Sequence, residues 1–196
     1  MAYRIQVAGG LAIYRYANTN FRNILVPNAD TLLLTGDCLI TDRENHRMTH
    51  EFLKYLERNW KKVIYIPGRS ELRSPGMAVT LNSPSNIIYS YRTNYPLDST
   101  HILIGATYTA STLDAMNDTT WLANEAKWVS DTIDSEVRKV IMASYYPVPC
   151  HSGLITAIVH GDGPNQFKKG TPITNRYSEY SGELRPDYNP EFVLDM

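Results

Sequence analysis

The chain is poor in cysteine, in histidine and in net charge, and it has no long apolar run. Two cysteines, Cys38 and Cys150, do not make the disulfide framework of a small secreted protein. A formal net charge of -1 lacks the basic footprint that a phosphate backbone requires, so bulk nucleic-acid binding is not expected. No stretch approaches the roughly 18 to 20 apolar residues of a membrane helix. The opening Met1-Ala2-Tyr3-Arg4 shows no apolar segment of a signal peptide. A soluble, intracellular protein is therefore the expectation, with no membrane partner. Phenylalanine and tryptophan are scarce as well, at four and three residues against 14 tyrosines. A chain of 196 residues still buries roughly 70% of its unfolded surface, enough for a core without disulfides or a structural metal. No fixed-period repeat, low-complexity run or linker interrupts it, which predicts a single domain over 1–196.

The apolar pattern alternates strands with two helices. Tyr3 to Ala8 reads as a strand, and Thr31 to Thr35 as a buried one that breaks at Gly36. From Asn45 to Trp60, the residues Met48, Phe52, Leu53, Leu56 and Trp60 form one helical stripe, and Val63 to Ile66 follows as a strand. That order predicts a βαβ unit. A second is predicted from Thr119 to Val137, with Trp121, Leu122, Trp128, Val129 and Ile133 inward, followed by a strand from Lys139 to Ala143. Further strands are expected at Ile87 to Ser90, His101 to Thr107, Leu154 to Val159 and Phe192 to Leu194.

In open α/β sheets the chemistry sits just past the carboxyl ends of strands. Five segments qualify: Gly9 to Ala12, Gly36-Asp37, Gly68 to Glu71, Ser144 to Pro147, and His160 to Pro164. The frame around them is specific. Leu32-Leu33-Leu34-Thr35-Gly36-Asp37 is followed by a helix, then by Val63-Ile64-Tyr65-Ile66-Pro67-Gly68, one polar residue and Ser70-Glu71-Leu72. Later come Ile102 to Tyr108, a tryptophan-bearing helix, Lys139 to Val148, a glycine turn, Thr174 to Tyr180, and Tyr188 to Met196. In order and spacing, from about Tyr3 to Asp195, the chain resembles the calcineurin-like metallophosphoesterases. The resemblance implies an α/β fold, a β-sandwich of two mixed sheets flanked by helices in four layers.

That family clamps two metal ions roughly 3.5–4 Å apart to activate water for phosphoryl displacement. It supplies the ligands in five motifs, an Asp-x-His, a Gly-Asp, a Gly-Asn-His-Asp/Glu, a His before a proline turn, and a Gly-His-x-His. This chain keeps the frames and loses the ligands. Gly10 and Ala12 stand at the first motif, and only Gly36-Asp37, the family's bridging carboxylate, survives from the second. Arg69 and Ser70 replace the asparagine and histidine of the third, leaving Gly68 and Glu71. Tyr145 aligns with the fourth histidine, and Asp162 and Pro164 with the two histidines of the fifth. Arginine has no lone pair to offer a metal, and proline has no donor side chain.

The resemblance thus implies a catalytically inactive member with a vestigial site of Asp37, Arg69, Ser70, Glu71, Tyr145 and Asp162. No cofactor is expected, and Asp37 and Asp162 together amount to a weak Mg2+ or Mn2+ contact at most. The expected role is structural or protein-interacting. Alternatives are a weak or altered metal-dependent phosphoesterase, and an anion sensor gripping phosphate through Arg69. An ion pair between Arg69 and the otherwise stranded Asp37 is also expected. His151 and His160 near the lost motifs read as ordinary histidines, and Cys38 and Cys150 as spectator thiols.

The tyrosines of the loops, Tyr14, Tyr16, Tyr91, Tyr146, Tyr177 and Tyr180 among them, allow two readings. They cover the core and plug the emptied cleft, or they form a surface for a protein partner or for self-association. The short, Tyr- and Asn-rich chain also resembles proteins of large DNA viruses, which would place it in host cytoplasm or virion.

Overall fold

The computed structural model describes residues 3–15, 20–40, 46–74, 76, 80, 84–108, 119–149, 152–161 and 185–196. Among the described residues, nine strands build two sheets. The first holds β1 (Arg4–Ala8), β2 (Thr31–Thr35), β3 (Lys62–Ile66), β4 (Ile87–Tyr89) and β9 (Val193–Asp195), in the order β4-β3-β2-β1-β9. Its first four strands run parallel, and β9 returns antiparallel to β1. The second holds β5 (Thr93–Pro96), β6 (His101–Ala106), β7 (Lys139–Ser144) and β8 (Ile155–His160), in the order β5-β6-β7-β8. Only β5 is antiparallel there. The protein is therefore an α/β fold with two mixed sheets and few helices; among the described residues these are α1 (His46–Asn59), the short α2 (Arg69–Arg73) and α3 (Thr119–Asp134). Among the described residues, no helix is long and apolar enough to cross a membrane.

The unbroken apolar runs of the central strands follow from burial on both faces. In β2, Leu32 and Leu34 pack with Phe52, Leu53 and Leu56 of α1, while Leu33 turns the other way. It meets Ile64 and Ile66 of its own sheet and Leu103, Ile141 and Ala143 of the second. In β7, Val140 and Met142 pack against Val129 and Ile133 of α3. Both predicted βαβ units, β2-α1-β3 and β6-α3-β7, are present as parallel pairs.

Several elements differ from the sequence reading. β5 was not expected as a separate strand; Pro96 is tolerated in it because β5 is an edge. The third loop contains α2, capped by Glu71. The inward stripe of α3 is Glu125, Val129 and Ile133, four residues apart, and all three are buried. Trp128 packs beside them, but Trp121 and Leu122 are only half-buried and lie outside that core. The helix also stops at Asp134 rather than Val137. Just beyond it, the Glu136 carboxylate folds onto the amides of Val137 and Arg138 at 3.0 and 3.2 Å and onto the Arg138 guanidinium at 2.6 and 2.8 Å.

These bonds, the guanidinium first, pull the Glu136 pKa down to about 2. A folded pKa below the unfolded one, about 4.3, contributes stability above that value and loses it as pH falls through about 2. Thermal melts of Glu136→Gln should therefore fall less steeply than wild type between pH 4.5 and pH 2. Parallel curves would remove this turn from the acid response.

Candidate functional site

The carboxyl ends of both sheets converge on one cluster. The loop after β1 zips onto the loop after β2, with Gly10 N donating to Gly36 O at 2.8 Å, Ala12 N to Asp37 O at 2.9 Å and Ile13 N to Cys38 O at 3.0 Å. Gly36 sits at φ +79°, a conformation glycine adopts without cost, and Asp37 follows at φ 52°. Aspartate is among the few other residues that enter this region readily.

Glu71 is the hub of the cluster. Its carboxylate, 1% exposed, accepts from the amides of Asp37 (2.9 Å), Cys38 (2.7 Å), Leu39 (3.0 Å) and Gly68 (2.9 Å), and from the Tyr65 hydroxyl (2.5 Å). One side chain thus fixes the β2 loop, the β3 loop and the start of α2. Burial, then the nearby Asp37 carboxylate, pushes the Glu71 pKa up, while the bonds from Tyr65, Leu39 and Cys38 oppose that shift. Cys38 is wholly buried beside it. Its thiol pKa is raised by burial first and by Glu71 second.

Asp37 itself is 6% exposed. Its Oδ1 accepts from the Ser70 amide at 2.9 Å, and its Oδ2 from the Tyr145 hydroxyl. Tyr145 enters from the end of β7 in the second sheet and is 1% exposed. Its ring lies against Gly36 and Gly68: a Cβ added at either would fall 2.6 or 2.9 Å from Tyr145 Cδ2. Tyr146 packs edge-on against it, with ring centroids 5.0 Å apart. Beside this seam, Gly161 brings the end of β8 against Thr35, where a Cβ would meet the Thr35 carbonyl at 1.7 Å.

Asp37, Ser70, Glu71 and Tyr145 are therefore brought together. Among the described residues the expected ion pair between Asp37 and Arg69 is not formed; the Ser70 amide and the Tyr145 hydroxyl meet the two carboxylate oxygens instead. Arg69 is half-buried at the start of α2. Asp162, Pro164, Cys150, His151, Tyr16, Tyr177 and Tyr180 lie outside the described residues. His160 is buried at the end of β8, in register with Ser144.

Two contributors went unnoticed in the sequence. Tyr65 follows the β3 alternation onto the α1 side, but nothing in that pattern announces its bond to Glu71. Glu125 is wholly buried and paired with Arg92 at 2.7 Å. Its place one helical turn before Val129 was the available signal.

Strand order and site together define an α/β protein of two mixed sheets, with a closed hydrogen-bonded cluster at the carboxyl edge. No family model matches the chain, and neither does a curated protein. Among solved structures, one crystal structure superposes on 92% of this chain and 92% of its own length, with a TM-score of 0.54 at 12% identity. That likeness is one of fold alone.

Proposed function

We propose that this chain has the four-layer metallophosphoesterase-like sandwich and is a catalytically inactive member of that superfamily, with a structural or protein-interaction role. The packing order α1, first sheet, second sheet, α3 supports the architecture. The observation that carries the function is the occupancy of Asp37. Its two oxygens are engaged by the Ser70 amide and the Tyr145 hydroxyl, where the family's bridging carboxylate would hold metals.

The residues at hand do not fit a metal pair. Gly10 and Ala12 carry no donor atoms, and a phenol that donates its proton to Asp37 takes the place of an imidazole that would offer a lone pair. Two divalent cations need several carboxylate and imidazole ligands to balance their charge. No metal-dependent step is assigned to this chain. The interaction role rests on the same carboxyl edge, where Tyr14, Tyr108 and Tyr146 are half-buried and Tyr91 is exposed, a residue type that interfaces favour.

Hydrolysis of bis(p-nitrophenyl) phosphate in 1 mM Mn2+ tests the reading, with sedimentation velocity over a concentration series beside it. No turnover above buffer, together with a mass that rises with concentration or on adding a partner, is the expected result. Mn2+-dependent turnover that disappears in Asp37→Ala would instead establish an altered phosphoesterase.

A further inference from the structure

Opposite the carboxyl edge, at the amino ends of β1 and β2, lies a cavity of about 830 Å³. It spans from the last residue of α1, Asn59, across Tyr3, Arg4 and Asn28 to Leu97 and Asp98 in the turn between β5 and β6. Its volume falls within the roughly 300–1,000 Å³ of small-molecule sites.

The lining residue Asn28 is held rigidly from behind. Gln6, wholly buried, spends its whole amide there: Nε2 donates to Val26 O at 2.6 Å and Pro190 O at 2.8 Å, and Oε1 accepts from Asn28 N and Trp60 Nε1, both at 3.0 Å. Asn28 is tied further, through Nδ2 to Glu191 O at 2.9 Å. That support exists before any ligand arrives, which limits the ordering cost of binding.

The charges at the rim are already matched. Asp30 meets Lys61 at 2.7 Å and Arg4 meets Asp195 at 3.1 Å. Asp98 turns its Oδ1 onto the amides of Thr100 at 2.6 Å and His101 at 2.7 Å. An anionic ligand would face Asp30 and Asp98, and a cationic one Arg4, and each of these charges already has its partner, so neither sign is favoured. The remaining capacity is neutral and mixed. Asn28 and Asn59 each commit their Nδ2, Asn59 to Tyr55 O at 2.7 Å, which leaves two amide oxygens as acceptors. Tyr3 and Thr31 offer a hydroxyl pair 3.1 Å apart, each able to donate or accept. Pro27, Ala29 and Leu97 supply apolar contact.

Two amide oxygens and a hydroxyl pair beside a short apolar strip match a molecule that carries hydroxyls on an apolar ring. We infer that this cavity binds a saccharide, free or as the terminal residue of a glycan, through Tyr3, Asn28 and Asn59.

Saturation-transfer NMR with the methyl glycosides of glucose, galactose, mannose and N-acetylglucosamine tests the inference on the intact chain. At least one glycoside should receive saturation. Asn59→Ala, at the exposed end of α1, should weaken its binding by about tenfold, the worth of one well-made hydrogen bond. Asn59→Phe, which fills the cavity, should abolish binding with the thermal melt preserved. Capture of an N-glycosylated protein but not of its deglycosylated form would assign the glycan source, and glycoside binding without such capture the free sugar. No transfer to any of the four glycosides, or transfer unchanged in Asn59→Phe, overturns the inference.

Discussion

Glu71→Ala should cost the protein a large share of its stability. The carboxylate is the common acceptor of four backbone amides and the Tyr65 hydroxyl, all in a buried setting. Its loss strands those donors, and each costs about 1–3 kcal/mol when left buried without an acceptor. Water entering the space recovers part of that, so a net loss of about 4–6 kcal/mol is expected, against a total of about 5–15 kcal/mol for a domain. At about 2–4 °C per kcal/mol for a chain of this size, the melting temperature should fall by roughly 10–20 °C. Glu71→Gln keeps the shape but brings an NH2 group against donors, so it should recover little. Calorimetry of both variants checks this, and a shift within about 3 °C for Glu71→Ala would remove Glu71 as the hub.

Tyr145→Ala is the second large effect. The ring is wholly buried between the sheets, and its truncation leaves a cavity beside Gly36 and Gly68, for which losses of about 3–5 kcal/mol are usual. Tyr145→Phe keeps the ring and removes only the hydroxyl from Asp37. That change leaves a buried carboxylate oxygen short of a donor and should cost about 1.5–3 kcal/mol. The pair separates packing from hydrogen bonding in chemical denaturation. Equal losses in the two variants would place the whole effect in the hydrogen bond, and a neutral Phe variant would show that the hydroxyl contributes nothing to closing the site.

The fold was legible where burial on two faces leaves an unambiguous apolar run. Thr31 to Thr35, Val63 to Ile66 and Lys139 to Ala143 were read within a residue of β2, β3 and β7. The short strand β5 was not, because its residues alternate between half-buried and exposed and include a proline. Helix α3 shows the limit of apolar counting. A stripe was drawn through Trp121 and Leu122, whereas spacing alone puts Glu125 on the buried line. A carboxylate can occupy that line because Arg92, at φ 49° just before β5, supplies its counter-charge from across the chain.

At the candidate site, the segments around Asp37, Ser70, Glu71 and Tyr145 were found from their places after strands, and the structure brings those four together. Their pairing was not legible. The sequence offered an arginine next to a stranded aspartate, and charge complementarity favoured Arg69. The closure depends on distance between sheets instead. Tyr145 reaches Asp37 from the second sheet because glycines at 36 and 68 leave room for its ring. That three-body condition has no local signature.

The most direct test of the central proposal, that protein groups around Asp37 stand where metallophosphoesterases hold their metals, is an electron paramagnetic resonance titration with Mn2+. The signal of hexaaquo Mn2+ should remain undiminished when the ion is mixed with an equimolar amount of protein at about 100 μM, because ligands as few as these bind no tighter than about millimolar. Loss of that signal with micromolar affinity, reversed by Asp37→Ala, would contradict the account.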